Sequence, residues 1–241
     1  GLGCVANGEG FISLGTAAVY AVVQDVYSPK PELMLHSFAH SIPGRWYQMA
    51  GMLNGASALA WGAKLVGLDD VGAALGEVEA RYAGPSRVTF LPYLNGERTP
   101  HNNPSARGVF FGLDSATDRL DLIQAVLEGV ACSIRLADDC IAQSGVTCPH
   151  PGMVGGGARS ALWGRIIATL LGRPVARYEG LVEGAAMGAA RLAMIGTGIP
   201  EDEVAIAPRD QRLLEPLPHG AAYEDRYRRF TRLYSDLEPH F

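Results

Sequence analysis

Hydrophobic residues recur every three or four positions from Leu120 through Ile123, Val126, Leu127, Val130, Ile134 and Ala137 to Ile141, opposite Asp121, Gln124, Glu128, Arg135 and Asp138. That period predicts a long amphipathic helix packed on a sheet. Upstream the pattern shortens. Phe11-Ile12-Ser13-Leu14 and Val19-Tyr20-Ala21-Val22-Val23 flank Gly15-Thr16, which predicts a β-hairpin turning at the glycine. A further strand pair is predicted across Ser37–Ser41 and Trp46–Gly51, with Pro43-Gly44 as its turn. Asn54 reads as the cap of a helix over Gly55–Val66, with Ala58, Trp61, Ala63 and Leu65 on the apolar face, and a second helix is predicted over Val71–Tyr82.

Val88–Pro92 has the pattern of a short buried strand, and Asn95–Pro104 that of an ordered polar loop. Met153-Val154 then runs into Gly155-Gly156-Gly157, followed by a helix over Ser160–Leu171, a strand around Val175–Tyr178 and a small-residue helix over Gly184–Ile195. Tyr223, Tyr227, Phe230, Leu233 and Leu237 line one face of a final helix. Strands come first and then alternate with helices, which predicts a single α/β domain over residues 1–241 with a mixed sheet flanked by helices.

Composition narrows the function more than the fold. With 48% hydrophobic and 19% charged residues, the 241-residue chain can bury a real core. Its net charge is -5 and it has no run of Lys or Arg, so it lacks the basic stripe that nucleic acid or an acidic membrane surface requires. No apolar run reaches the length of a membrane span. The only lysines are Lys30 and Lys64, and neither closes a Gly-x-x-x-x-Gly-Lys-Ser/Thr loop, so any nucleotide is handled without a P-loop. Cys4, Cys132, Cys140 and Cys148 form no Cys-x-x-Cys pair and have no His at ligand spacing, which reads as reduced thiols in a cytoplasmic protein without a metal site.

Thirty glycines exceed the usual share, and they cluster where chemistry could sit. At Gly15-Thr16 free amides and a hydroxyl can donate to phosphate oxygens, although a plain hairpin turn would use the same residues. Gly155-Gly156-Gly157-Ala158-Arg159-Ser160 is a strand-to-helix turn whose missing Cβ atoms would let a ring or phosphate lie against the backbone, and whose helix start favours anions. The small residues of Glu183–Ala190 allow either close packing on a neighbour or a place beside a ligand. Asn95–Pro104 concentrates Glu97, Arg98, His101 and three asparagines, and His101 by itself is a poor catalytic base.

The order of these segments is more telling than any one of them. The Ser-Leu-Gly-Thr hairpin, Gly55-Ala56-Ser57, Leu91 to Pro104, Gly108 to Leu113, Gly155 to Ser160 and Gly184 to Ala193 together resemble the C-terminal half of the FGGY carbohydrate kinases. His36-Ser37-Phe38 and the Gly-Glu-Arg-Thr-Pro-His-Asn-Asn-Pro run point, within that family, to the branch acting on D-xylulose. The resemblance implies an actin-like, ribonuclease-H-like ATPase fold and transfer of the ATP γ-phosphoryl group, with Mg²⁺ on the phosphates, to D-xylulose. It assigns Gly15 and Thr16 to the phosphates, Gly55 to the neighbourhood of the nucleotide, and Gly157 with Ala158 to adenosine. Two departures stand out: Ala17 occupies a position where the family often has Ser, and Ala161 one where the glycerol kinase branch has Asn.

By the same resemblance the catalytic Asp belongs to a Gly-Asp-x-x-Ala segment upstream of Gly1, and nothing in residues 1–241 matches it. The chain therefore reads as a C-terminal half, inactive alone, whose partners are the sugar-binding N-terminal domain and the sugar; monomer and homodimer both stay open. The alternatives are a kinase for another sugar or polyol and a non-catalytic actin-like nucleotide-binding or assembly module.

Overall fold

The structure is a computed structural model that describes residues 1–178, 184–206, 208 and 211–241. The predicted hairpins form: β1 (Gly10–Leu14) with β2 (Ala18–Gln24), and β3 (His36–Ala39) with β4 (Trp46–Met52). Then come α1 (Ala56–Leu65), α2 (Val71–Arg81), the small hairpin β5 (Thr89–Leu91) and β6 (Val109–Phe111), and α3 (Arg119–Ala142). The remainder is β7 (Gly152–Val154), α4 (Ala161–Leu171), β8 (Val175–Tyr178), α5 (Gly184–Gly196), α6 (Glu201–Val204), β9 (Gln211–Leu214) and α7 (Gly220–Leu237). Glu183, which opens the small-residue run, lies outside the described residues.

Seven strands make one mixed sheet in the order β3-β4-β2-β1-β7-β8-β9, with β1, β7 and β8 mutually parallel and the other pairs antiparallel. The sheet has two unlike faces because side chains alternate along each strand. Ile12, Leu14, Tyr20, Val22 and Ala50 are fully buried in the core that also holds α3 and α4, whereas Phe11, Ser13 and Val19 on the other side are only half-buried. β9 and α6 have no counterpart in the pattern reading, being short and poor in periodic apolar residues.

Two expectations are corrected by packing. α3 is buried on nearly all sides, its polar stripe included: Gln124 and Glu128 face the 84–86 turn and α7, and Asp138 pairs with Arg173. The Glu128 carboxylate accepts from the Ser86 amide at 2.8 Å and the Gln124 amide at 2.9 Å, and it pairs with buried Arg226 at 3.4 Å. On α1 the buried residues are Ala58, Leu59, Gly62 and Ala63, while Trp61 and Leu65 face outward, so the apolar stripe is rotated from the one predicted. All four cysteines are free thiols. Among the described residues no helix is long and apolar enough to cross a membrane.

Candidate functional site

Three glycine turns far apart in sequence meet at one end of the central strands. The register pairs Leu14 with Ala18, leaving Gly15, Thr16 and Ala17 as the loop of the first hairpin. α1 begins against this loop. The Gly55 and Ala56 amides donate to the Thr16 and Gly15 carbonyls at 3.0 and 2.7 Å, and the Ser57 hydroxyl donates to Thr16 O at 2.6 Å. Those carbonyls serve the first turn of α1, so the helix needs no side-chain cap; Gly55 is its N-cap, and Asn54 instead bonds to the Gly96 carbonyl and Asn95. Gly55 is a glycine because a Cβ there would stand 2.6 Å from the Ala17 carbonyl.

The tie-down has a consequence for the hairpin loop. In a trans peptide the C=O and the following N–H point in opposite directions. With the Gly15 and Thr16 carbonyls drawn inward, the Thr16 and Ala17 amides are turned outward, and neither donates to another described residue. Thr16 and Ala17 are exposed, so this turn offers two N–H groups that have no acceptor among the described residues. Such a cluster suits an anionic oxygen. The loss of a hydroxyl at Ala17 leaves this amide in place, a donor that side-chain reasoning missed.

The third turn arrives through the parallel pairing of β7 with β1. Gly155 has φ +88 and its Cβ would lie 2.7 Å from the Leu14 carbonyl, so this position admits only glycine. Gly157 is required by the packing of the chain itself. It is buried beneath the turn, where a Cβ would sit 2.8 Å from the Leu14 Cβ and 3.0 Å from the Trp163 ring, and Ala158 is buried beside it. Gly156 alone of the three is exposed, and a Cβ there would meet nothing within 4 Å. At Gly15 a Cβ would make only an ordinary 3.7 Å contact. The chain's own packing thus demands Gly55, Gly155 and Gly157, and leaves the space over Gly15 and Gly156 free.

Beside the turns, on the half-buried face of the sheet, lies a cavity of about 720 Å³ lined by Ser13, Val154 and Gly155 and, from α5, by Ala185, Gly188 and Ala189. Its size falls in the range of small-molecule sites. No described residue of α5 is buried, so its small residues border this space and are not packed into the core.

The Asn95–Pro104 loop stands behind the turns. Glu97 is 2% exposed, and burial pushes its carboxyl up to about 7 against the pull of two backbone amides, those of Leu53 and Arg98. His101 stacks on Tyr234 with ring centroids 3.6 Å apart and shares a 3.1 Å hydrogen bond with the Tyr93 hydroxyl, and burial lowers its pKa to about 4. A neutral, enclosed imidazole is a structural element here. Arg98 is exposed.

Comparison with known proteins now bears on this geometry. Residues 10–197 match the FGGY family of carbohydrate kinases, C-terminal domain. The chain belongs to the FGGY family. Its mixed sheet between helices is the actin-like ATPase fold of these kinases. Within the family it is 40% identical to xylulose kinase of Escherichia coli (strain K12) over 99% of this chain and 50% of the relative. The crystal structure of a xyloylose kinase from Brucella ovis superposes with a TM-score of 0.95 at 41% identity, over 100% of this chain and 51% of that one. Xylulose kinase from Rhodospirillum rubrum gives 0.87 at 31% identity, over 99% and 49%. The FGGY chain spans about half the length of the relatives it matches.

Proposed function

We propose that this chain is the nucleotide-binding half of a kinase that transfers the γ-phosphoryl group of ATP to D-xylulose, giving D-xylulose 5-phosphate. The observation that carries the reading is the pair of outward amides at Thr16 and Ala17, turned that way by the hold of α1 on the Gly15 and Thr16 carbonyls. Preorganised donors of this kind stabilise phosphoryl charge without reorganising during the reaction. Gly15 and Gly156 leave room for phosphates, while Gly55, Gly157 and Ala158 act from beneath by setting the path of the backbone. The cavity of about 720 Å³ takes the rest of the nucleotide. The choice of D-xylulose rests on the names of the relatives in three bacteria.

Among the described residues no group of three or more His, Cys, Asp or Glu side chains is placed to hold a metal. By the family resemblance Mg²⁺ would enter with the nucleotide on its own phosphates, where it would neutralise their charge. The general base for the sugar hydroxyl is assigned to the family's Gly-Asp-x-x-Ala segment, outside residues 1–241, and the sugar is held mostly by the N-terminal domain. His101 and Glu97 are committed to other contacts.

Calorimetry with ADP and a coupled ADP-release assay test the reading together. The chain alone should bind ADP and show no sugar-dependent turnover; joined with the N-terminal domain it should turn over D-xylulose on the order of 10 s⁻¹. Turnover of a different sugar or polyol alone would overturn the substrate, and absence of ADP binding would overturn the nucleotide site.

A further inference from the structure

The polar loop from Asn95 to Asn103 touches the backbone that carries the turns, and it does so from a distance of more than forty residues in sequence. We propose that this loop is a clamp that positions the nucleotide-binding turns, with the Glu97 carboxylate as its anchor; the proposal rests on the nucleotide reading above. One carboxylate oxygen, Oε1, accepts from the Leu53 amide at 2.9 Å and from the Arg98 amide at 2.8 Å. The other, Oε2, is buried with no hydrogen-bond partner among the described residues. Around this anchor the Gly51 amide donates to Thr99 Oγ1 at 3.1 Å, the Thr99 amide donates back to the Gly51 carbonyl at 3.3 Å, and the Asn54 side chain donates to the Gly96 carbonyl at 3.3 Å. The whole joint from Gly51 to Asn54, between β4 and α1, is therefore held by the loop.

The loop is rooted on its far side. Glu97 and Asn103 exchange backbone hydrogen bonds at 3.0 and 2.9 Å, the Asn103 side chain donates to the Tyr234 hydroxyl at 3.2 Å, and His101 is stacked on Tyr234. A continuous path of hydrogen bonds thus runs from α7 through the loop to Leu53 and Asn54, and from Gly55, Ala56 and Ser57 to the carbonyls of Gly15 and Thr16. Since those carbonyls determine which way the Thr16 and Ala17 amides face, the anchor at Glu97 acts on the donors without touching a ligand. Holding them in place beforehand removes an ordering cost from binding. What the anchor needs is an acceptor at Oε1, not a charge. Gln supplies the same oxygen, and Ala supplies none.

The test uses Glu97→Ala and Glu97→Gln in the chain, with ADP calorimetry and amide hydrogen exchange. Glu97→Ala should weaken ADP binding by about tenfold or more, and should speed exchange at Gly55, Ala56 and Ser57 while the amides of α3 stay protected, which reports that the fold survives. Glu97→Gln should restore both. Wild-type affinity together with unchanged exchange at Gly55 to Ser57 in Glu97→Ala would overturn the clamp, as would a Glu97→Gln protein that behaves like the alanine variant. If wild type itself binds no ADP, the nucleotide reading fails, and the exchange measurement alone decides whether the loop holds the turns. In the joined protein, a clamp raises KM for ATP in Glu97→Ala more than it lowers kcat, a split that a uniform loss of folded protein would not produce.

Discussion

The two faces of the central sheet follow opposite rules. On the α3 side Ile12, Leu14, Tyr20 and Val22 are sealed in the core, and the charged groups that enter it are paired, Glu128 with Arg226 and Asp138 with Arg173. On the other side Phe11 and Ser13 are half-exposed beside an open cavity, and the turns at its edge present amides with no partner among the described residues. A buried charge without a partner is costly, so the first face pairs its charges internally, whereas the second can leave donors for a ligand. Substitutions should therefore separate into those that cost stability and those that cost affinity, according to the face they touch.

The largest expected effect is on the sealed face. Glu128→Ala removes the partner of a buried guanidinium and should destabilise the chain by about 3–5 kcal/mol, read from urea unfolding, with ADP affinity of the folded fraction unchanged. A change in ADP affinity larger than the change in stability would break the division between faces.

Next comes the pH dependence at Glu97, which belongs to neither face. Its folded pKa, about 7, lies above the usual carboxylate value of 4.5 because of burial. A group raised in this way contributes stability that is fully present below pH 4.5 and is lost as pH rises through about 7. The loss is on the order of 3 kcal/mol. Arg98 opposes the shift, Tyr93 and Tyr234 sense the same charge, and His101, lowered to about 4, titrates below this window. Glu97→Gln should flatten the stability profile between pH 4.5 and 7 and be the more stable protein at about pH 8. Parallel profiles for the two proteins would contradict a buried, partly protonated Glu97.

The smallest and sharpest contrast lies between adjacent glycines. Gly157→Val drives methyl groups into Leu14 and Trp163 and should cost about 1–3 kcal/mol of stability. Gly156→Val meets open space, so stability should change by less than about 0.5 kcal/mol, while ADP affinity falls. Equal affinity in wild type and Gly156→Val would show that the ligand does not lie over this turn.

Most elements were legible because their signals are local. The Gly15-Thr16 hairpin, the second helix, α3 and the aromatic face of α7 each follow from spacing within a few turns of chain. Where the reading of residues slipped, a distant partner was responsible. Asn54 has the chemistry of a cap, but the carbonyls of Gly15 and Thr16 already serve the first turn of α1, which frees Asn54 for the loop at Gly96. The polar stripe of α3 has the spacing of a solvated face, yet Ser86, Arg226 and Arg173 approach it from other parts of the chain. Glu97 carried no signal of burial, because in sequence it is one charged residue in a polar loop.

By itself the sequence determined most of the elements, the order of the glycine segments and, through that order, the family: periodicity and turn chemistry act over a few residues, and a succession of specific segments is readable along the chain. Only the tertiary structure decided that Gly15, Gly55 and Gly155 meet, that Gly156 faces outward while Gly157 lies beneath, and that Glu97 holds the joint behind them. Those relations depend on the parallel pairing of β1 with β7 and on hydrogen bonds between segments more than forty residues apart, and no local preference encodes which backbone groups are left without a partner once such contacts form.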